Sequence, residues 1–209
     1  MRLVLASNNA KKLAELRALL GGLGLELLPQ GELGIPEAEE PHGTFVENAL
    51  AKARQAARAG GGAAMADDSG LCVDALGGAP GVWSAGFAAV ALPDGAREVQ
   101  RAAQDAANNE LLLQRLQGVS DRRARFVSTL VALRSADDPE PLIAAGRWDG
   151  EILAAPRGQG GFGYDPLVWI PGLGASVAEL GAEAKNAHSH RARSVAQMAV
   201  LMREVWHLG

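Results

Sequence analysis

An α/β fold with a mixed sheet is predicted by three features of this chain. Strand and helix patterns alternate from the N-terminus to the glycines at 60–62, polar capping residues stand at the helix starts, and two β-rich runs follow each other in the second half. Leu3-Val4-Leu5-Ala6 reads as a short buried strand, and Ser7-Asn8-Asn9 supplies caps for a helix carrying Leu13, Leu16, Leu19 and Leu20. Gly21 and Gly22 stop that helix. Leu25 to Leu28 gives a second strand, and an acidic, proline-containing loop follows from Glu37 to Gly43. Thr44 with Glu47 three residues on fits a capping box, opening a helix through Ala49, Ala53 and Ala57. A third strand over Ala63 to Ala66 then runs into Asp67-Asp68-Ser69-Gly70, read as a turn at the strand's C-terminal mouth.

Past that point Gly77-Gly78-Ala79-Pro80-Gly81 is a loop, and Glu98 to Leu116 is helix-prone. Ala124 to Leu133 and Pro141 to Trp148 read as paired strands around the polar turn Ser135 to Glu140, an antiparallel insertion or second lobe. Gly158 to Gly163 is glycine-rich, Leu167 to Ile170 is a short strand, and His190 to Trp206 is a closing helix. The expected architecture is one domain over 1–209, with a mixed sheet and a cleft between two lobes.

Hydrophobic residues at 48% and charged residues at 21% fit a globular chain of 209 residues able to bury a sizeable core. No apolar run approaches the ~18 residues of a membrane span, and Leu3 to Ala6 is too short for a signal peptide's apolar core. A cytoplasmic protein with no membrane partner is expected. The single cysteine, Cys72, excludes an intrachain disulfide and a multi-cysteine zinc site. A net charge of −4 argues against a general nucleic-acid binder, which needs a basic face. Small anions remain open, because Lys11, Lys12, Lys52, Lys185 and Arg191 offer local positive charge.

Chemistry-bearing residues gather in four places. Adjacent Asp67 and Asp68 repel each other, which a divalent cation relieves; taken alone the stretch reads as a solvated turn before it reads as a metal site. Ser7-Asn8-Asn9-Ala10-Lys11-Lys12 opens a helix whose unpaired N–H groups favour an anion, while Ser7 and Asn9 are equally ordinary caps. Glu40 would join Asp68 on one Mg²⁺ if their elements pack as neighbours, although a loop glutamate is by itself a solvated charge. Gly160-Gly161-Phe162-Gly163-Tyr164-Asp165-Pro166 lets backbone approach a ligand and offers Phe162 as a flat face, or is simply a glycine-rich hairpin. Lys185 and Ser189-His190-Arg191 supply further donors near the last helix.

Six motifs in order, S-N-N-A-K-K, G-T-F-V-E-N-A with Lys52 beyond it, A-D-D-S-G-L, G-G-A-P-G, G-F-G-Y-D-P and K-N-A-H-S-H-R, resemble the inosine triphosphate pyrophosphatase family, also called dITP/XTP pyrophosphatases. The resemblance covers essentially the whole chain. It implies an elongated central sheet with two lobes around a deep cleft, a homodimer, and Mg²⁺-dependent cleavage of ITP, dITP or XTP to the monophosphate and pyrophosphate. Carried onto this chain, it implies that Ser7, Asn8, Asn9, Ala10, Lys11 and Lys12 hold the triphosphate, and that Glu40 and Asp68 hold the metal. Asp68 would accept the proton of water, with Lys12 and Lys52 beside it, and Ser69 would touch substrate. Phe162 would stack on the purine, Gly163, Tyr164 and Asp165 would line its pocket, and Lys185, His190 and Arg191 would complete the contacts. Two positions depart from the family pattern: Lys11 stands where a glycine is common, and Gly86 where an arginine is common.

Overall fold

The computed structural model describes residues 1–208. Its seven strands are β1 (Arg2–Leu5), β2 (Glu26–Pro29), β3 (Ala64–Val73), β4 (Arg123–Leu133), β5 (Leu142–Ile152), β6 (Val168–Ile170) and β7 (Ala175–Ser176), in the sheet order β2-β1-β3-β4-β5-β6-β7. β1 runs parallel to both β2 and β3, pairing Leu3 with Leu27 and Leu5 with Met65. β5–β6 and β6–β7 are antiparallel, so the sheet is mixed as expected. The helices are α1 (Ala10–Leu20), α2 (Phe45–Gly60), α3 (Arg97–Arg115), α4 (Ala182–His188) and α5 (His190–Trp206).

The chain folds as two compact units, the first made of Met1–Ser69, Ser128–Arg147 and His188 onward, the second of Gly70–Val127 and Trp148–Ala187. In the first unit the period-2 alternation of a strand sorts side chains onto two layers. Leu3, Leu5, Met65, Leu130 and Ala132 face one core with Leu16 and Leu20 of α1 and Val195, Met198 and Met202 of α5. Val4, Ala6, Ala64, Ala66, Val131 and Leu133 face the other, with Ala49, Ala53, Ala56 and Ala57 of α2. An 11-residue helix such as α1 is marginal alone, so burial of Leu16 and Leu20 at roughly 1.5–3 kcal/mol each holds it.

β5 alternates buried and exposed residues along its whole length. Its inward Gly146 leaves room for the first turn of α5: a Cβ there would stand 1.9 Å from the His190 carbonyl oxygen and 2.6 Å from the Ser194 nitrogen. In the second unit Leu71, Val73, Leu112, Leu116, Phe126, Trp148, Leu167 and Val168 form one core, on which α3 lies.

Two expectations are corrected. The third strand does not end at Ala66; it continues to Val73, with every residue except Ser69 buried. Asp-Asp-Ser-Gly has the composition of a turn, but the strand is covered on both faces and its ladder continues through them. The run 124–148 is not an inserted lobe either. β4 and β5 are neighbours inside the sheet, and Ser128 to Leu133 are buried without alternation, as a strand covered on both sides requires. Their connection is too short for a parallel crossover, so the expected antiparallel pairing stands.

Asp138 anchors that connection. Its carboxylate accepts from the Arg134 N–H at 2.8 Å and the Glu140 N–H at 3.0 Å. Burial works to raise this carboxyl, but the two backbone donors and the Arg134 guanidinium outweigh it and hold it below its ordinary value. A depressed carboxyl stabilises the fold above its unfolded value and loses that contribution as pH falls through its folded value. Asp138→Ala is therefore expected to cost about 1–2 kcal/mol at pH 7, with the thermal melts of parent and variant converging as the pH is lowered below 3.8. A gap that stays constant down to about pH 3 contradicts this.

Candidate active site

Because β3 continues through the two aspartates, their side chains leave it on opposite faces. Asp67 shares the parity of Met65 and enters the layer of α1 and α5; Asp68 shares the parity of Ala64 and Ala66 and enters the layer of α2. The adjacent carboxylates therefore do not form one site, and their repulsion, which solvent in a turn or a divalent cation was expected to relieve, is relieved by their placement on opposite faces. Each has its own ammonium.

On the first face Asp67 Oδ2 lies 2.9 Å from Lys12 Nζ and 3.2 Å from Arg191, and Ser128 Oγ donates to Oδ1 at 2.7 Å. Ser69, two residues on and of the same parity, donates to Asp67 at 3.0 Å and accepts from Arg191 at 3.0 Å. Arg191 also pairs with Glu15 of α1. It is fully buried, and its Nε–H has no hydrogen-bond partner. Burial pushes the Asp67 carboxyl up, but Lys12, Arg191 and the Ser128 hydroxyl together hold it well below the usual range. Lys12 is lowered, chiefly by burial and further by the charges of Arg191 and Lys52, against the pull of Asp67.

The start of α1 explains how Lys12 is aimed. Asn9 is the helix cap, its Oδ1 accepting from the Lys11 N–H at 3.1 Å and the Lys12 N–H at 3.3 Å, and Ser7 Oγ accepts from the Asn9 N–H at 3.1 Å. The capping reading is realised for Asn9, whereas Ser7 makes a local turn bond to the cap residue's own N–H and caps no helical N–H. Asn8 and Ala10 line a cavity of about 330 Å³ with Leu13, Pro29 and Gly31, and Lys11 is exposed.

On the second face Lys52 Nζ joins Asp68 at 2.8 Å and Glu40 at 3.1 Å. Asn48, one turn before Lys52, donates to Asp68 at 3.4 Å and clamps the acidic loop by donating to the His42 carbonyl and accepting from its N–H. This brings Glu40 across to α2. Thr44 caps the helix and bonds Glu47 at 2.5 Å, so Glu47 is a cap residue. Burial raises the Asp68 carboxyl to about 6, and Glu40 pushes the same way against Lys52. Two carboxylates on one ammonium leave negative charge in excess, and the Glu40 side chain is 45% exposed. That donor set fits a hard cation that keeps part of its water shell. Among the described residues no three His, Cys, Asp or Glu gather closely enough to cage a metal. Mg²⁺ needs no such cage, since one or two carboxylates and phosphate oxygens suffice.

In the second unit Phe162, Tyr164, Asp165 and Lys185 form one cluster. Asp165 Oδ2 accepts from the Phe162 N–H at 2.9 Å and from Lys185 Nζ at 2.8 Å, and that ammonium sits 4.5 Å from the centroid of the Phe162 ring. Tyr164 donates to the Ser84 carbonyl at 2.9 Å, which fixes its buried ring. Ser84 Oγ in turn accepts from the Leu71 N–H, and Asn108 Nδ2 donates to the carbonyls of Ser84 and Ala85. Gly86, where the family pattern has arginine, has an ordinary backbone, and a Cβ at that position would meet open space. Gly86→Arg is accordingly expected to fold with stability within ~0.5 kcal/mol of the parent, checked by thermal melting.

Sequence reasoning missed Asp67 as a partner of Lys12, along with Glu15, Ser128, Asp105 and Asn109. The polar Ser128 inside the apolar run 124–133 was a readable signal; Glu15 on a polar helix face was not.

Fold and site define the class as an α/β protein of mixed sheet in which lysines and carboxylates gather about one buried strand. The family is more specific: the model of the Ham1 family matches residues 3–201, and the chain belongs to that family. A dITP/XTP pyrophosphatase of Methylibium petroleiphilum is 70% identical over 206 residues, spanning 99% of both chains. The structure of a HAM1 protein from Coxiella burnetii superposes with a TM-score of 0.87 at 41% identity, covering 98% of this chain and 100% of the other. A nucleoside-triphosphatase / dITP/XTP pyrophosphatase from Mycobacterium abscessus gives 0.70 at 42% identity, over 95% and 98% of the two chains. The family resemblance carried by the six motifs is borne out, as is the α/β class. No helix of the described residues is long and apolar enough to cross a membrane.

Proposed function

We propose that this protein is a magnesium-dependent nucleoside triphosphate pyrophosphatase that hydrolyses dITP, XTP and ITP to the monophosphate and pyrophosphate. The observation that carries the reading is the match along 99% of both chains to a relative bearing the name dITP/XTP pyrophosphatase. The geometry supports it, since buried ammonium groups and a carboxylate pair suited to a hard cation are what cleavage of a phosphoanhydride needs.

Ser7, Asn8, Asn9, Ala10, Lys11 and Lys12 take the phosphate tail at the start of α1, where the helix dipole adds to the lysine charge. Glu40 and Asp68 would hold Mg²⁺, which when bound would offset the negative charge of the triphosphate. Asp68 orients the attacking water and accepts its proton as the new O–P bond forms and the α–β anhydride breaks, releasing pyrophosphate. Lys52 fixes Asp68 and Glu40 and offsets the charge that accumulates beside them. Ser69, His190 and Arg191 complete the contacts, with Arg191 already locked by Asp67 and Glu15.

Phe162, Gly163, Tyr164, Asp165 and Lys185 take the base. Lys185 lies over Phe162, so a purine would stack on the opposite face of that ring. Backbone N–H groups lining such a pocket can only donate, which suits the 6-keto oxygen of hypoxanthine or xanthine and leaves the 6-amino group of adenine unmatched, at ~1–3 kcal/mol for a buried mismatch. A cytoplasmic homodimer acting on free nucleotides rather than nucleic acid completes the reading.

The decisive experiment incubates purified protein and Mg²⁺ with dITP, XTP, ITP and dATP and identifies products by phosphorus NMR. Pyrophosphate with monophosphate from the 6-keto substrates is expected, and chelation of the metal should stop it. Orthophosphate as the sole product overturns the reading.

A further inference from the structure

Gly163 is held from both sides by one helix. Asp105 Oδ2 accepts from the Gly163 N–H at 2.8 Å, and Asn109 Nδ2 donates to the Gly163 carbonyl at 2.9 Å. Asp105 and Asn109 are four residues apart on α3, so they present one acceptor and one donor on the same helix face. Gly163 has φ +61°, a left-handed conformation that places Phe162 before it and Tyr164 after it at a sharp bend. The orientation of the Asn109 amide is fixed by this contact, because its buried Oδ1 has no partner and the flipped amide would set two oxygens together.

We infer that Asp105 and Asn109 are positioning residues for the base platform, a two-pronged clamp that grips both peptide groups of Gly163 and sets the attitude of Phe162 and Tyr164. The inference rests on the proposed nucleotide reading. It has a direct consequence for recognition: the Gly163 N–H and carbonyl are already engaged, so Gly163 acts on a base through where it holds its neighbours. The 162–165 turn owes its internal order to Asp165, whose Oδ2 ties the Phe162 N–H to Lys185. From outside, the Ser84 carbonyl holds the Tyr164 hydroxyl and the Ala178 N–H holds the Asp165 carbonyl, while α3 alone grips the backbone at Gly163, between Phe162 and Tyr164. The clamp therefore governs base affinity and base choice and leaves the phosphate chemistry alone.

The test uses full-length protein in four forms: parent, Asp105→Ala, Asp105→Asn and Asn109→Asp. Asparagine at 105 keeps an acceptor for the Gly163 N–H, whereas aspartate at 109 turns a donor into a second acceptor facing a carbonyl. For Asp105→Ala and Asn109→Asp, KM for dITP should rise roughly 3–10-fold, the span of one hydrogen bond, with kcat within about twofold and dITP-over-dATP preference reduced. Inhibition by inorganic pyrophosphate, which carries no base, should not change. Asp105→Asn should restore KM. In nucleotide-free protein the Gly163 amide should exchange hydrogen on the order of tenfold faster in Asp105→Ala than in the parent. An unchanged KM and base preference in both disruptive variants, with an active parent, overturns the clamp. Equal loss in Asp105→Asn and Asp105→Ala also overturns it, since that pattern marks general destabilisation. A parent that cleaves no purine triphosphate refutes the functional reading instead, and the Gly163 exchange rate then decides the clamp by itself.

Discussion

Asp68→Asn should lower kcat on dITP by on the order of 10²–10⁴-fold, the range set by a positioned proton acceptor, while the protein melts no lower than its parent. Asparagine is nearly isosteric, and its Oδ1 can still accept from Lys52, which keeps Glu40 as its second partner. What disappears is the negative charge, together with the long 3.4 Å bond from Asn48, whose Nδ2 keeps the His42 carbonyl. Burial raises this carboxyl to about 6, so at neutral pH the fold holds the ionised form at a cost, and the neutral amide removes that cost. Steady-state release of pyrophosphate and a thermal melt on the same preparation separate the two effects. A variant that turns over like its parent removes Asp68 from the chemistry.

Asp67→Ala, one residue earlier, should do the reverse and act first on stability. Asp67 is buried between Lys12 and Arg191, and its carboxyl is held well below the usual range. Such a group stabilises the fold at neutral pH and would lose its contribution only in strong acid. Its removal leaves the buried Arg191, with only Glu15 as its carboxylate, facing the half-buried Lys12 ammonium, and takes away the Asp67 acceptor of the Ser128 hydroxyl. Breaking one side of a buried pair costs about 3–5 kcal/mol, against roughly 0–1 kcal/mol for an exposed pair such as Arg17–Glu32. The Tm should fall on the order of 10 °C. A variant melting within about 2 °C of the parent contradicts the account, whatever its activity.

These opposite expectations for neighbouring residues show where the sequence was legible. The order strand, helix, strand, helix could be read up to Gly60 because α1 and α2 each pack one face and so carry a helical period. Thr44 and Asn9 announced their helices through capping chemistry. β3 could not be read past Ala66. A strand buried on both faces has no alternation to display, and Asp-Asp-Ser-Gly has the composition of a turn. Without that strand the two aspartates read as sharing a site; with it, parity sends one to α1 and α5 and the other to α2. Glu40 and Asp68 were named as converging groups, and they do converge on Lys52. The agent of convergence, Asn48 clamping His42, is a contact over six residues that no periodicity reveals. Asp105 and Asn109 stayed hidden for the same reason, since their partner lies 58 and 54 residues away.

The layer under α2 is rich in methyl side chains, with Ala49, Ala53, Ala56 and Ala57 of the helix in one cluster with Ala64 and Ala66 of the strand. Side chains this short set the gap between helix and sheet near its minimum, and a lysine of fixed reach on that helix can then touch a carboxylate on the strand. Those alanines thus serve as a shim. A bulkier residue at Ala53, without meeting any ligand, would lift the helix and act as an active-site mutation carried out from behind.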